Sequence, residues 1–142
     1  MITRRDMTIA AVAIGATLAA TAFAGSGASI MGSAAIDWNG VPVSQDGTHS
    51  VRRFFKAPTA TLAELEVHVT TLPPGELSHP AHKHPNEELV IVKEGTVEVL
   101  VDGKLQRLGP GSVIFNASNQ MHSLRNVGNS AATYHVINWK SH

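Results

Sequence analysis

The chain has 142 residues, no cysteine, eight histidines and a formal net charge of zero. The length suits a single domain. Without cysteine there are no disulfides, zinc–thiolate sites, iron–sulfur clusters or lipidated N-terminal cysteine, so any metal must be held by nitrogen and oxygen donors. Balanced charge gives no reason to expect a nucleic-acid partner.

The chain opens with Arg4 and Arg5, followed by an uncharged, Ala-rich run from Ile9 to Ala24. Ala22-Phe23-Ala24 has the small-x-small form of a cleavage site, and Ser33-Ala34-Ala35 is a second option. The run is short for a membrane-spanning helix. Residues 1–24 are therefore expected to be an export signal, with cleavage extending as far as 35 in the alternative. No stable membrane association is expected after cleavage, and the destination is the periplasm or, alternatively, the outside of the cell. Thr3-Arg4-Arg5-Asp6-Met7 resembles the twin-arginine export motif, with Met7-Thr8 in place of the usual Phe-Leu pair. Residues 25–36 are small and polar and read as a flexible leader.

From about Asp37 onward, short alternating segments are separated by Gly and Pro turns. Leu62 to Leu72 alternates, with Leu65, Val67 and Val69 on one face and Glu64, Glu66, His68 and Thr70 on the other. Ala57 to Leu65 is compatible with a helical turn, but its alternation favours strand. Further strands are predicted over Glu88–Lys93, Thr96–Val101, Leu105–Leu108, Val113–Phe115, Met121–Arg125 and Thr133–Trp139. Asp102-Gly103 is a two-residue hairpin signal. This even spacing predicts an all-β, antiparallel barrel or sandwich in one domain over 37–142.

The chemistry concentrates in His82-Lys83-His84-Pro85-Asn86-Glu87-Glu88. In an extended strand, residues two apart share a face, so His82, His84 and Glu88 point the same way. Two imidazoles and a carboxylate form most of a transition-metal site, and His122 supplies a third imidazole. Glu87 has the opposite parity and reads as solvated.

The pattern Gly75…His82-x-His84-x3-Glu88-x6-Gly95 resembles the first motif of the cupin superfamily, with one extra residue between Gly75 and His82. Gly111-x5-Ala117-x-Asn119-x2-His122-x3-Asn126 resembles the second, with Ala117 where proline is usual and Asn119 where glycine is usual. Asn tolerates a left-handed backbone better than most residues, so the turn can survive. The resemblance implies a double-stranded β-helix (jelly-roll) barrel and one divalent transition metal (Mn, Fe, Co, Ni, Cu or Zn) held by His82, His84, Glu88 and His122. Glu88 is also a possible base. His79, His68 and His135 are candidates for supporting contacts around the metal, and Asn126, which matches the terminal Asn of the second motif, is a candidate either for holding a turn or for such a contact, whereas His49 lies in a polar loop and receives no role. Val90, Val92, Leu124 and Phe115 are expected as pocket walls. The implied function is an enzyme acting on a small oxygen-rich molecule, with dioxygenase-like oxidation favoured. A metal-dependent isomerase or lyase and a non-catalytic binding protein are the alternatives. A homodimer is expected, pairing through an edge near Val51 to Phe55.

Overall fold

The computed structural model describes residues 29–142; the expected export signal lies outside the described residues. Residues 29–36 have no regular structure, though Met31 N–H donates to the Pro58 carbonyl at 2.8 Å. Asp37 caps a single 3-10 turn, Trp38–Gly40, by accepting from Asn39 N–H at 2.8 Å. Nine strands follow: β1 (Val43–Asp46), β2 (His49–Ala57), β3 (Glu64–Leu72), β4 (Glu87–Glu94), β5 (Val97–Val101), β6 (Lys104–Leu108), β7 (Val113–Asn116), β8 (Ser123–Asn126) and β9 (Ala132–Lys140).

They form a six-stranded sheet, ordered β1-β2-β3-β9-β4-β7, and a three-stranded sheet, ordered β6-β5-β8. Every pairing is antiparallel. This is the jelly-roll barrel that the sequence predicts. The core between the sheets is aliphatic, built from Leu72, Val90, Val92, Val97, Val99, Ile114, Leu124, Ala132 and Val136, with Tyr134 among them. Each fully buried aliphatic side chain contributes roughly 1.5–3 kcal/mol relative to exposure.

The turns follow their residues. Asp102 (φ 49°) and Gly103 (φ 71°) both take the left-handed conformation that a tight hairpin between β5 and β6 requires. Asn119 takes φ 59°, so it fills the turn where glycine is the usual residue. Gly95 combines φ +85° with a close approach, since a Cβ there would lie 2.6 Å from Ala132 Cα.

Three expectations change. The segment near Val51–Phe55 is not an edge, because β2 lies between β1 and β3. Two strands before Leu62, of four and nine residues, thus carry the sheet further than the alternation alone suggested. Between Ala57 and Glu64 the chain turns instead of continuing as strand: Thr59 N–H donates to the Leu62 carbonyl at 2.9 Å, and Leu62 N–H donates to the Thr59 hydroxyl at 3.1 Å. His82 and His84 precede β4 and are not part of a continuous strand.

Candidate metal centre

A single β-bridge supplies the geometry that the expected strand would have given. His82 and His122 exchange both backbone hydrogen bonds, at 3.1 and 2.9 Å, which sets their side chains opposite one another. Asn119 N–H donates to the His84 carbonyl at 2.8 Å and pins the second loop against the first. One ring nitrogen from each of His82, His84 and His122 can be chosen so that all three lie within 4.8 Å of one another. The ring centroids of His82 and His84 lie 4.6 and 4.8 Å from that of His122.

Each ring is oriented by its own chain. Nδ1 of His82 lies 3.1 Å from the Pro80 carbonyl, Nδ1 of His84 3.0 Å from Asn86 and Nδ1 of His122 2.9 Å from Gln120. A carbonyl only accepts, so Nδ1 carries the proton in all three and Nε2 keeps its lone pair for a ligand. Nε2 of His122 is buried and has no hydrogen-bond partner, an orphaned acceptor of the kind a metal satisfies.

Glu88, near the start of β4, places its carboxylate oxygens 3.7 Å from His84 Nε2 and 3.9 Å from His122 Nε2. Asn116 Nδ2 donates to Glu88 Oε1 at 2.9 Å. This bond holds the carboxylate toward the histidines, and Asn116 was not singled out from the sequence. Three imidazoles and a carboxylate, all nitrogen and oxygen donors, fit a divalent transition ion with positions left for a small molecule. Glu87 is not simply solvated: its Oε2 accepts from Trp139 Nε1 at 2.9 Å.

The cluster opens onto a cavity of about 200 Å³. His68, His79, Tyr134, Asn138, Val90 and Leu124 are among its lining residues. His68 Nδ1 lies 3.2 Å from Glu66 Oε1, close in distance but not aligned as a hydrogen bond. Burial holds the His68 imidazole below its ordinary range despite the Glu66 charge. Burial alone would raise the Glu66 carboxyl, but Lys56, His68 and Arg53 together hold it below the usual value. Lys56 Nζ is 3.1 Å from Glu66 Oε2, and Arg53 bonds the other oxygen. Burial pushes the Tyr134 hydroxyl strongly upward, so it stays protonated.

Other candidates fall elsewhere. His135 lies on the far face of β9 from Tyr134, Val136 and Asn138, which line the cavity. Asn126 is completely buried and bonds only to backbone: its amide nitrogen donates to the Leu72 and Ser130 carbonyls at 3.0 and 2.8 Å, and its oxygen accepts from Gly128 N–H at 2.9 Å. Val92 belongs to the core beneath the cavity. Phe115 is half-exposed on the outer face, stacked on Trp139 at 6.2 Å. Tyr134 and Asn138 carried a legible signal, since they share parity with each other on β9, but the sequence could not say which parity faces inward.

The chain matches the Cupin domain family over residues 68–138 and belongs to it. It is 39% identical over 62 residues to dimethylsulfoniopropionate lyase DddQ of Ruegeria pomeroyi, which covers 43% of this chain and 30% of that protein's length. A protein described as a predicted oxalate decarboxylase, from Thermotoga maritima, superposes with a TM-score of 0.65 at 16% identity, over 75% of this chain and 99% of its own. The Cnp3 cupin domain of Schizosaccharomyces pombe gives 0.64 at 18%, over 75% and 74%. The polyketide cyclase RemF of Streptomyces resistomycificus gives 0.62 at 16%, over 75% and 79%. At these identities the structures show the fold alone.

Proposed function

We propose that this cupin is a mononuclear metal enzyme that moves a proton on a small, oxygen-rich substrate, as an isomerase or lyase does. The observation that carries the reading is the shared orientation of His82, His84 and His122. Each has its Nδ1 proton committed to a carbonyl, and the His122 Nε2 is buried without a partner. With Glu88, these residues would hold one divalent ion (Mn, Fe, Co, Ni, Cu or Zn), which supplies Lewis-acid polarisation of a substrate oxygen.

The rest of the chemistry belongs to the cavity wall. His68 is neutral near neutral pH and can take a proton, while Glu66 beside its Nδ1 stabilises the charged ring that results. Tyr134 retains its proton and serves as a donor to a substrate oxygen. Asn116 keeps Glu88 facing the histidines, which leaves Glu88 a ligand before it is a base. The partial likeness to a lyase agrees with proton-transfer chemistry.

Dioxygenase-like oxidation is the second reading, favoured by the donor set itself, since three imidazoles and a carboxylate also suit a redox-active ion. We further propose that the chain is exported on the strength of Arg4-Arg5 and the Ala-rich run that follows, and that its partners are a small molecule and a second copy of itself, with no nucleic acid.

Elemental analysis of purified protein, wild type and His122→Ala, tests the centre. About one transition ion per chain, lost in the variant, is expected. Turnover of a panel of small carboxylates, dimethylsulfoniopropionate included, is then followed under argon. His68→Gln should keep its metal and lose on the order of 10²–10⁴-fold in rate. Turnover that stops without dioxygen selects the oxidative reading, and wild-type protein that takes up no metal ends both.

A further inference from the structure

Two more imidazoles stand in line with the three-histidine cluster. His49 begins β2 and is buried. Its ring meets that of His79 edge-on, with centroids 6.0 Å apart and planes at 86°. His79, exposed at the cavity mouth, meets His82 edge-on in turn, at 5.5 Å and 90°. Five rings therefore run in contact from the start of β2 to the candidate metal centre. At the outer end, Asp46 is exposed and sets Oδ2 3.8 Å from His49 Nε2. A second carboxylate stands close by, because Glu76 accepts from the hydroxyl of Thr48, the residue before His49, at 3.0 Å.

Two imidazoles bound to one ion at about 2.0–2.1 Å have ring centres roughly 4.5–5.5 Å apart. The His79–His82 separation of 5.5 Å reaches this range, and the His49–His79 separation of 6.0 Å is somewhat wider, so the outer pair shares an ion only once the exposed His79 ring swings toward His49. The inner and outer rings differ in how they are held. Nδ1 of His82, His84 and His122 is fixed by a carbonyl two residues away. No comparable bond holds the exposed ring of His79 among the described residues, so this ring can turn with a passenger, whereas His49 is buried at the start of β2 and gives the relay a fixed outer end. Two imidazoles and a carboxylate also bind more weakly than three imidazoles and a carboxylate, which makes the inward step downhill.

We propose that Asp46, His49 and His79 form an outer capture site that takes a divalent transition ion from solution and passes it to His82, His84 and His122. The proposal rests on reading that cluster as the metal centre. Asp46 and Glu76 supply the negative field that draws a cation to this side of the mouth. His79 is the transfer ligand, shared first with His49 and then with His82.

A relay of this kind lowers the barrier between two states without changing either one. It must therefore speed release as much as uptake, and this separates it from a structural role. Weakening the inner site would make release faster, whereas removing a relay makes it slower.

The test uses metal-free full-length protein and zinc delivered from a chromophoric chelator, followed by stopped-flow absorbance. His79→Gln, which changes an exposed residue, and Asp46→Asn are compared with His49→Gln, and thermal melting checks that each is folded. Zinc uptake is expected to slow about tenfold in His79→Gln. Stripping of zinc by excess EDTA should slow by the same factor, with equilibrium affinity unchanged. Asp46→Asn should slow uptake and lose part of its salt dependence. Uptake at the wild-type rate in both exposed variants overturns the relay, as does faster release from His79→Gln. Wild-type protein that binds no zinc overturns the metal centre itself, a result distinguishable from failure of the relay alone.

Discussion

At Asn126 one amide group closes three backbone gaps, bonding the Leu72 and Ser130 carbonyls and Gly128 N–H while fully buried. Family resemblance left this residue as a holder of a turn or a contact around the metal, and its bonds select the first: it is a brace between the end of β3 and the turn after β8. Asn126→Ala removes the side-chain partner of the buried Leu72 carbonyl and of the part-buried Ser130 carbonyl and Gly128 N–H, and should cost about 3 kcal/mol in urea unfolding. Metal content should stay at the wild-type level. A variant of wild-type stability that loses its metal would return Asn126 to the site. The neighbouring pair Glu87 and Glu88 shows what was legible at this scale. Strand parity separated them, and the structure turns Glu88 to the histidines and Glu87 to Trp139. Parity did not reveal which face is inside. On β3 the apolar set Leu65, Val67 and Val69 looks like the core face, whereas His68 and Thr70 line the cavity. A barrel that encloses a polar site inverts the usual inward-apolar rule, and nothing local in the sequence marks the inversion.

The elements themselves were largely readable where valines alternate, as in β4 and β5, and where Asp102-Gly103 sets the hairpin. They were less readable before Leu62. β2 carries a register shift between Arg53 and Phe55, which breaks its alternation at Phe54. The displaced Phe54 ring packs 6.0 Å from Trp38, and Arg52 and Lys93 lie 4.7 and 4.8 Å from the Trp38 ring centre. Once β1 covers β2, the six-stranded sheet ends at β1 and β7. β1 is exposed along its length and ends in Asp46, a charge that discourages pairing. β7 instead shows Val113 and Phe115, at 59% and 50% exposure. These register with Ile91 and Leu89, so an apolar surface continues from β7 across β4. The homodimer proposed above would therefore pair through the β7 side, not through Val51–Phe55, with a second copy as the occupant. Light scattering should give twice the chain mass at micromolar concentration, falling to one chain in Val113→Lys/Phe115→Lys. A monomeric wild type, or a dimer indifferent to these changes, removes β7 from the interface.

Acid acts on the whole molecule through groups that the barrel has partly withdrawn from water. His68 and His79 are held below the ordinary histidine value of 6.5, chiefly by burial, and His135 is lowered in the same way. As pH falls through 6.5 the unfolded chain takes up protons that these folded-state imidazoles still refuse, so stability declines until the folded groups titrate in turn. Glu66 works in a lower window. Its folded carboxyl sits below the ordinary 4.5, so it contributes stability above that value and loses it as pH falls through the depressed folded one. The charges facing His68 set how steep the first stage is: Glu66 and Glu88 favour its protonation and Arg53 opposes it. Metal-free protein should therefore lose stability to acid in two stages, the first beginning near 6.5 and the second below 4.5. Urea midpoints across this range, read on wild type, His68→Gln and Glu66→Gln, check the assignment. His68→Gln should flatten the upper stage without abolishing it, because His79 and His135 remain. Glu66→Gln should be less stable at neutral pH, since Arg53 loses its carboxylate and Lys56 keeps only Glu64, and should lack the lower stage. An upper stage as steep in His68→Gln as in wild type would show that the half-buried imidazole facing the cavity is not what makes the barrel sensitive to mild acid.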